Sequence, residues 1–225
     1  MADPVRVGRR SDVRHLRAIE LAAGELFPAD RIPDREKTFP RAKLEQAADQ
    51  GLLFVVEVNG QVAGFAVCTR QGERLHLEEV SVHPAHGRQG YGRALVARVI
   101  EAARERNLTA VSLTTFSDIP WNGPFYESMG FKQLPEIELD EALAAALAQE
   151  SGLGMREREA RTRQLSPGGA LSGHCTYIRS VEGSGLMAKI TAQLRIREAQ
   201  IDALMRQESR IRIATIGPGA DINLT

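Results

Sequence analysis

Apolar and polar positions alternate along this chain with two periods. Leu16, Ile19, Ala23 and Leu26 recur at helical spacing, so residues 12–26 read as an amphipathic helix. Ser11 is placed to cap it and Asp12 suits its positive end. A short strand at residues 5–9 precedes it. Phe27-Pro28 ends it, and residues 28–40, with three prolines, read as an irregular excursion before a second helix over 41–50. Residues 52–58 and 61–69 are apolar and β-branched. Asn59-Gly60 between them is a hairpin signal, because both turn positions tolerate positive φ. Gln71-Gly72 turns the chain again into residues 74–82, where Leu75, Leu77, Val80 and Val82 mark a largely buried strand. His83-Pro84 stops it, since proline donates nothing to a ladder. An apolar helical face follows, starting at Ala94-Leu95-Val96 and running to about Arg106, with Asn107 as a C-cap.

The second half continues in the same style. Val111, Leu113 and Thr115 alternate in a strand over 110–115. Joined to 74–82 by a helix, it should lie parallel to that strand through a right-handed crossover. A short helix over 124–129, a strand over 131–134 and an alanine- and leucine-rich helix over 139–149 follow. Residues 166–185 lose apolar periodicity and gain Gly, Ser and Pro, as a linker does. Residues 186–207 then carry Met187, Ile190, Leu194, Ile201 and Leu204 at near-heptad spacing, an amphipathic helix that needs its own domain or another subunit, such as a homodimer partner.

Between the central strand and its helix lies Gly87-Arg88-Gln89-Gly90-Tyr91-Gly92-Arg93. Gly90 and Gly92 let the backbone approach a ligand closely. The first helical amides have no intrahelical partner, and the helix dipole adds positive charge there. Arg88 and Arg93 add full charges, so the turn is an anion site suited to a diphosphate. It is not a Rossmann fingerprint, because Leu95 stands where the third glycine belongs. Nor is it a Walker A loop, which needs Gly-Lys-Ser/Thr. By spacing alone, a plain strand-to-helix connector remains open.

The run from His83-Pro84 through Gly87-Arg88-Gln89-Gly90-Tyr91-Gly92-Arg93-Ala94-Leu95 resembles motif A of the GNAT acetyltransferases, Arg/Gln-x-x-Gly-x-Gly/Ala. Gly90 and Gly92 match, and the Arg/Gln position falls on Gly87 with Arg88 one place later. Phe125-Tyr126-Glu127-Ser128-Met129-Gly130-Phe131 resembles the family's Tyr-x-x-x-Gly-Phe segment, in the right order. The resemblance covers residues 1–165. It implies an α/β (α+β) GNAT fold: a central mixed, mostly antiparallel sheet flanked by helices, with a final strand near 160–165. To this the chain adds the linker and a C-terminal helical extension over 186–225.

Lys+Arg and Asp+Glu are both 29, and a net charge of zero argues against wholesale nucleic-acid binding. Cys68 and Cys175, the two cysteines, make no disulfide framework and fit a reducing, cytoplasmic setting. The first residues lack a secretory h-region, and no apolar run is long enough to span a membrane. His83 and His86 lack a third ligand at useful spacing, so no metal is expected.

The resemblance implies acetyl transfer from acetyl-coenzyme A to a primary amine of a small molecule or a protein. A non-catalytic acyl-coenzyme A sensor is the alternative. On this reading Arg88, Gln89, Gly90, Tyr91, Gly92 and Arg93 hold the diphosphate, and main-chain groups of Val80 and Val82 align the pantetheine arm. Asn122 either caps the short helix or bonds the pantetheine amides. Tyr126 is the candidate acid for the leaving thiolate and also borders the cofactor. Glu79 and Glu78 are candidate bases, with His76 attractive by its reference pKa of about 6.5. Strand alternation would put His76 and Glu78 on one face and Glu79 on the other. In the family, the region between the first two helices borders the acceptor; here it offers Phe27, Asp30, Asp34, Glu36 and Phe39. Asp118 and Trp121 are further candidates for binding a cationic amine.

Overall fold

The computed structural model describes residues 4–165, so the linker and the amphipathic helix expected beyond them lie outside the described residues. Seven strands form one sheet in the order β1-β2-β3-β4-β5-β7-β6. They are β1 (Val5–Val7), β2 (Leu53–Val58), β3 (Gln61–Gln71), β4 (Arg74–Val82), β5 (Ala110–Phe116), β6 (Lys132–Gln133) and β7 (Arg158–Gln164). Every neighbouring pair is antiparallel except β4 with β5. The mixed, mostly antiparallel sheet is therefore as expected. The final strand lies between β5 and β6, and so occupies an interior slot.

Local chemistry sets the connections. Asn59 (φ 51°) and Gly60 (φ 77°) are both left-handed, the geometry a two-residue hairpin needs to match strand twist. Gly72 (φ 58°) opens the β3–β4 turn. The single parallel pair is joined by α3 (Tyr91–Glu105), which buries Leu95, Val96, Val99, Ile100, Ala102 and Ala103 and stops at Asn107, at φ 55°. These residues share one core with Leu53, Phe54 and Phe65 of the β2–β3 hairpin. Helices α1 (Val13–Gly24) and α2 (Arg41–Asp49) also pack on the sheet, α1 across β3 and β4 and α2 across β2 and β3. Two later helices, α4 (Asn122–Glu127) and α5 (Glu141–Gly152), pack against β5, and α5 also against β7. Asp140 starts α5 by accepting the Leu143 amide at 3.0 Å, and its carboxylate also takes the Arg74 guanidinium, joining that helix to the start of β4.

The first helix starts differently from the sequence expectation. A 3-10 turn, Arg10–Asp12, precedes α1, and Asp12 rather than Ser11 holds the entry. Its carboxylate accepts the Arg9 amide at 2.7 Å and two Arg6 N–H groups at 2.7 and 3.1 Å. A carboxylate that takes both a backbone amide and a bidentate guanidinium outcompetes a hydroxyl for this position. Arg6 holds the Asp12 carboxyl below the ordinary carboxylate range.

Asp12→Ala should destabilise the protein by about 2 kcal/mol at pH 7, from loss of the cap and the bidentate pair together. A depressed carboxyl contributes above its unfolded pKa and loses that contribution as pH falls through its folded one. Urea titrations should therefore show the deficit shrinking under acid conditions, where the wild-type side chain takes up a proton.

Candidate active site

The site begins where β4 and β5 part. Their parallel pairing runs from Arg74–Ala110 to Leu77–Leu113 and stops there, although β4 continues to Val82 and β5 to Phe116. The cause lies on the other edge of β4. Cys68 of β3 pairs with Leu77 but Val67 pairs with Glu79, so Glu78 is an extra residue and β4 is bulged. Beyond the bulge, His83 donates its amide to Ala63 at 2.8 Å. Antiparallel pairs alternate between bonded and non-bonded. Counting back from His83 and Ala63, Val82–Gly64 and Val80–Ala66 are the non-bonded pairs. The N–H and C=O groups of Val80 and Val82 thus turn away from β3 into the gap beside β5.

The bulge also corrects the facing of the acids. Thr69 pairs with His76 and Val67 with Glu79. Thr69 and Val67 are two apart on β3 and share a face, so Glu79 lies on the same face as His76, not the opposite one. Glu79 is half-buried and accepts the Ser81 hydroxyl at 2.8 Å. Burial pushes its carboxyl above the ordinary range, against the pull of Ser81, Arg158 and the Val80 amide. The Val80 amide that pulls on the Glu79 carboxyl is itself one of the groups turned into the gap. Glu78 is turned to Thr69, whose hydroxyl donates to it at 2.6 Å. His76 is a core histidine: it is buried, its Nδ1 lies 3.0 Å from the Ser112 hydroxyl, and burial pushes its pKa below the ordinary value. Tyr126 of α4 is 8% exposed and packs edge-on against Phe125 and Phe131. Burial first, and the Glu79 charge second, push its phenol well above the ordinary value.

The glycine turn abuts this gap. Arg88 (φ 58°) and Gly90 (φ 85°) are both left-handed, and Gly90 is the N-cap of α3. Arg88, Gln89 and Gly90 are exposed. α3 begins at Tyr91, so the amides of Tyr91, Gly92 and Arg93 stand open at its positive end. A Cβ on Gly92 would sit 4.0 Å from Val82 and 3.9 Å from Phe125, ordinary contacts that tie the turn to the gap and to α4. Arg93 donates to the Ser128 hydroxyl at 2.6 Å and lies 5.9 Å from the Phe125 ring centroid.

An anion cradle beside an opened parallel strand pair, with a buried tyrosine and a half-buried acid, is now in place. Residues 17–131 match the family described as Acetyltransferase (GNAT) family. The chain belongs to this family. It is 30% identical over 116 residues to the ribosomal protein bS18 alanine N-acetyltransferase of Escherichia coli, a match covering 50% of this chain and 78% of that one. The crystal structure of that type of enzyme from Escherichia coli superposes with a TM-score of 0.53 at 21% identity, over 76% of this chain and 98% of the other. The N-acetylglutamate synthase of Neisseria gonorrhoeae, solved with coenzyme A and N-acetyl-glutamate, superposes at 0.57 with 20% identity, over 72% of this chain but 35% of that longer one.

This GNAT protein is therefore an N-acetyltransferase, moving an acetyl group from acetyl-coenzyme A to an amine. Among the described residues no group of three or more metal-ligating side chains gathers, and no helix is long and apolar enough to cross a membrane. Three sequence candidates have other occupations. Asn122 neither caps α4, whose N-cap is Trp121, nor is unengaged: its amide donates to Thr115 at 3.1 Å. Asp118 accepts Arg31 at 2.8 and 2.5 Å, so its charge is met before any amine arrives. Trp121 is 52% exposed and leans on Phe27, their ring centroids 6.2 Å apart. Sequence reasoning missed Glu20 of α1. Its Oε1 accepts the Phe39 amide at 2.8 Å, while Oε2 is buried with no partner among the described residues. Burial, and then the Glu79 charge, push its carboxyl up to about 8. The available signal was an acid one turn from both Leu16 and Ala23, on the edge of an apolar helical stripe.

Two outcomes follow from these geometries. Gly92→Asp places a negative charge in the first turn of α3, which favours the helix but repels phosphate. Calorimetry should show acetyl-coenzyme A binding weakened tenfold or more while the thermal midpoint holds or rises. A carboxyl raised on folding keeps a proton that the unfolded chain has released, so the wild type loses stability as pH climbs from the ordinary Glu range to about 8. Glu20→Gln, which carries no proton to lose, should melt higher than the wild type at pH 8, with the difference closing toward pH 5.

Proposed function

We propose that the acceptor is the α-amine of a peptide or protein N-terminus, with Glu79 as the base and Tyr126 as the acid. The observation that carries this reading is the raised, half-buried Glu79 carboxyl on the strand whose Val80 and Val82 main-chain groups face the gap, within electrostatic reach of Tyr126. The α-amine is favoured by proton affinity. Its pKa is about 8 against about 10.4 for lysine, so it surrenders its proton to a raised carboxyl far more readily. The bS18-alanine N-acetyltransferase resemblance points the same way.

In this reading, the turn from Arg88 to Arg93, Gln89 and Tyr91 included, grips the diphosphate through its amides and charges. Val80 and Val82 align the pantetheine arm, and an amide of this strand polarises the thioester oxygen as negative charge grows there. Glu79 takes one proton from the ammonium. The free amine attacks the carbonyl, the C–N bond forms and the C–S bond breaks. Tyr126, neutral across the working pH range because its pKa is raised, donates to the departing thiolate, and the proton shed by the new amide nitrogen restores it. Cys68, a buried free thiol, accords with a cytoplasmic setting.

A thiol-release assay over peptides with free and acetyl-blocked N-termini, beside a panel of small amines, tests the assignment. Free peptides should turn over and blocked ones should not. Glu79→Gln should lower kcat at least a hundredfold at pH 7 and Tyr126→Phe tenfold or more, both with acetyl-coenzyme A affinity kept. Turnover confined to small amines would overturn the acceptor; full activity in Glu79→Gln would overturn the base.

A further inference from the structure

We infer that Ser81 is a positioning residue for Glu79: its hydroxyl fixes one carboxylate oxygen and so presents the other to the acceptor amine. This rests on the reading above, that the amine is deprotonated at Glu79. Ser81 follows Glu79 by two residues on β4, so both side chains stand on one face of the sheet. The Ser81 hydroxyl donates to Glu79 Oε1 at 2.8 Å. Ser81 pairs with Phe65, and the count back from His83 and Ala63 makes this a bonded pair, set between the non-bonded Val80 and Val82. The hydroxyl is thus carried by the one residue of the stretch 80–82 whose main chain is anchored to β3. At 5% exposure, Ser81 is also packed in place. A buried hydroxyl is costly unless it is bonded, and the bond it makes here is to Glu79.

The two oxygens of Glu79 differ. Oε1 is engaged by Ser81, whereas Oε2 takes no side-chain donor. Among the described residues, the sealed side-chain oxygen without a partner is Glu20 Oε2, so Glu79 Oε2 is open to solvent. A proton taken from the ammonium therefore goes to Oε2, and Oε1 stays an acceptor for Ser81. The hydroxyl orients the group in both protonation states but bonds the charged one more strongly, which holds the carboxyl down against burial. The other groups that face Glu79 do not replace it. Arg158 of β7 also lowers the carboxyl, but it is held by Glu150 of α5 through two bonds of 2.8 Å, and Glu150 itself raises it. Glu20 of α1 and Tyr126 of α4 are both raised by burial and keep their protons at pH 7. Ser81 is the side chain that bonds Glu79 directly.

Ser81→Thr and Ser81→Val are the discriminating pair. They differ by a hydroxyl against a methyl at nearly equal volume, so any packing strain is common to both. Ser81→Ala deletes the hydroxyl without added bulk and serves if the branched side chains do not fold. Carboxyl 13C NMR of the full chain, with the Glu79 signal assigned through Glu79→Gln, reads the bond without any substrate. The Glu79 midpoint should rise by about one pH unit in Ser81→Val and Ser81→Ala and stay within about 0.3 unit of wild type in Ser81→Thr. The acid limb of kcat for a peptide with a free N-terminal alanine should move with it, leaving kcat about tenfold lower on that limb. Affinity for acetyl-coenzyme A should hold within twofold. An unmoved midpoint in the variants that lack the hydroxyl, or equal losses of kcat in Ser81→Thr and Ser81→Val at every pH, would overturn the role of Ser81 and leave that of Glu79 standing. A midpoint that moves while the acid limb stays in place would overturn Glu79 as the base, and this inference with it.

Discussion

A sheet opens where one strand carries a residue its neighbour does not match, and in this protein that residue is Glu78. The bulge ends the β4–β5 pairing at Leu77–Leu113, turns Val80 and Val82 toward the space so created, and swings Glu79 onto the face covered by α1. An unbulged β4 would pair with β5 to its end. The main-chain groups that the cosubstrate needs would then be spent on the ladder, and Glu79 would lie on the other face. One inserted residue thus makes both the cleft and the placement of its acid.

Around that cleft the charges are sorted by whether they have partners. Arg158 is held by Glu150 and stacks over Phe116 at 4.4 Å, Arg161 is bound to Glu159 at 2.5 Å and to Glu127 at 3.1 Å, and Arg31 is bound to Asp118. These pairs brace β7, α4 and α5, and tie the segment after α1 to the loop after β5. Glu79 has the Ser81 hydroxyl and the pull of the Val80 amide and Arg158, and Glu20 has the Phe39 amide and the pull of Arg17. Among the described residues the bracing acids are met by guanidinium groups, whereas burial raises the carboxyls of these two, the pattern expected of groups kept for proton chemistry.

What the sequence made legible was what depends on a few adjacent residues. Asn59-Gly60, the glycine turn and the apolar face of α3 are each dictated by local backbone chemistry and each is where the pattern put it, and the left-handed Asn107 stops α3 one residue past its C-cap, Arg106. The parallel β4–β5 crossover followed from handedness. What was not legible concerns register and distant partners. The facing of Glu79 depends on how β3 counts against β4, which no single strand states. Asn122 is engaged by Thr115, Asp118 by Arg31 and Asp12 by Arg6, and nothing in the neighbouring residues announces those partners. Glu20 stayed hidden because a charge at the rim of an apolar stripe looks like an ordinary solvated position until the loop at Phe39 covers it.

The slot held by β7 bears on how this domain is made. Strands β5 and β6 have no pairing with each other; both wait for Arg158–Gln164 to arrive between them. During synthesis the sheet on the β1 side can assemble early, while two hydrogen-bonding edges stay unsatisfied until β7 has left the ribosome. That interval exposes Phe116 and the end of β5 to other chains, the situation in which edge-to-edge association competes with folding. Closure of the cleft's far wall thus waits for Arg158–Gln164. A chain cut short before Arg158 would be left with an incomplete sheet as well as an incomplete site.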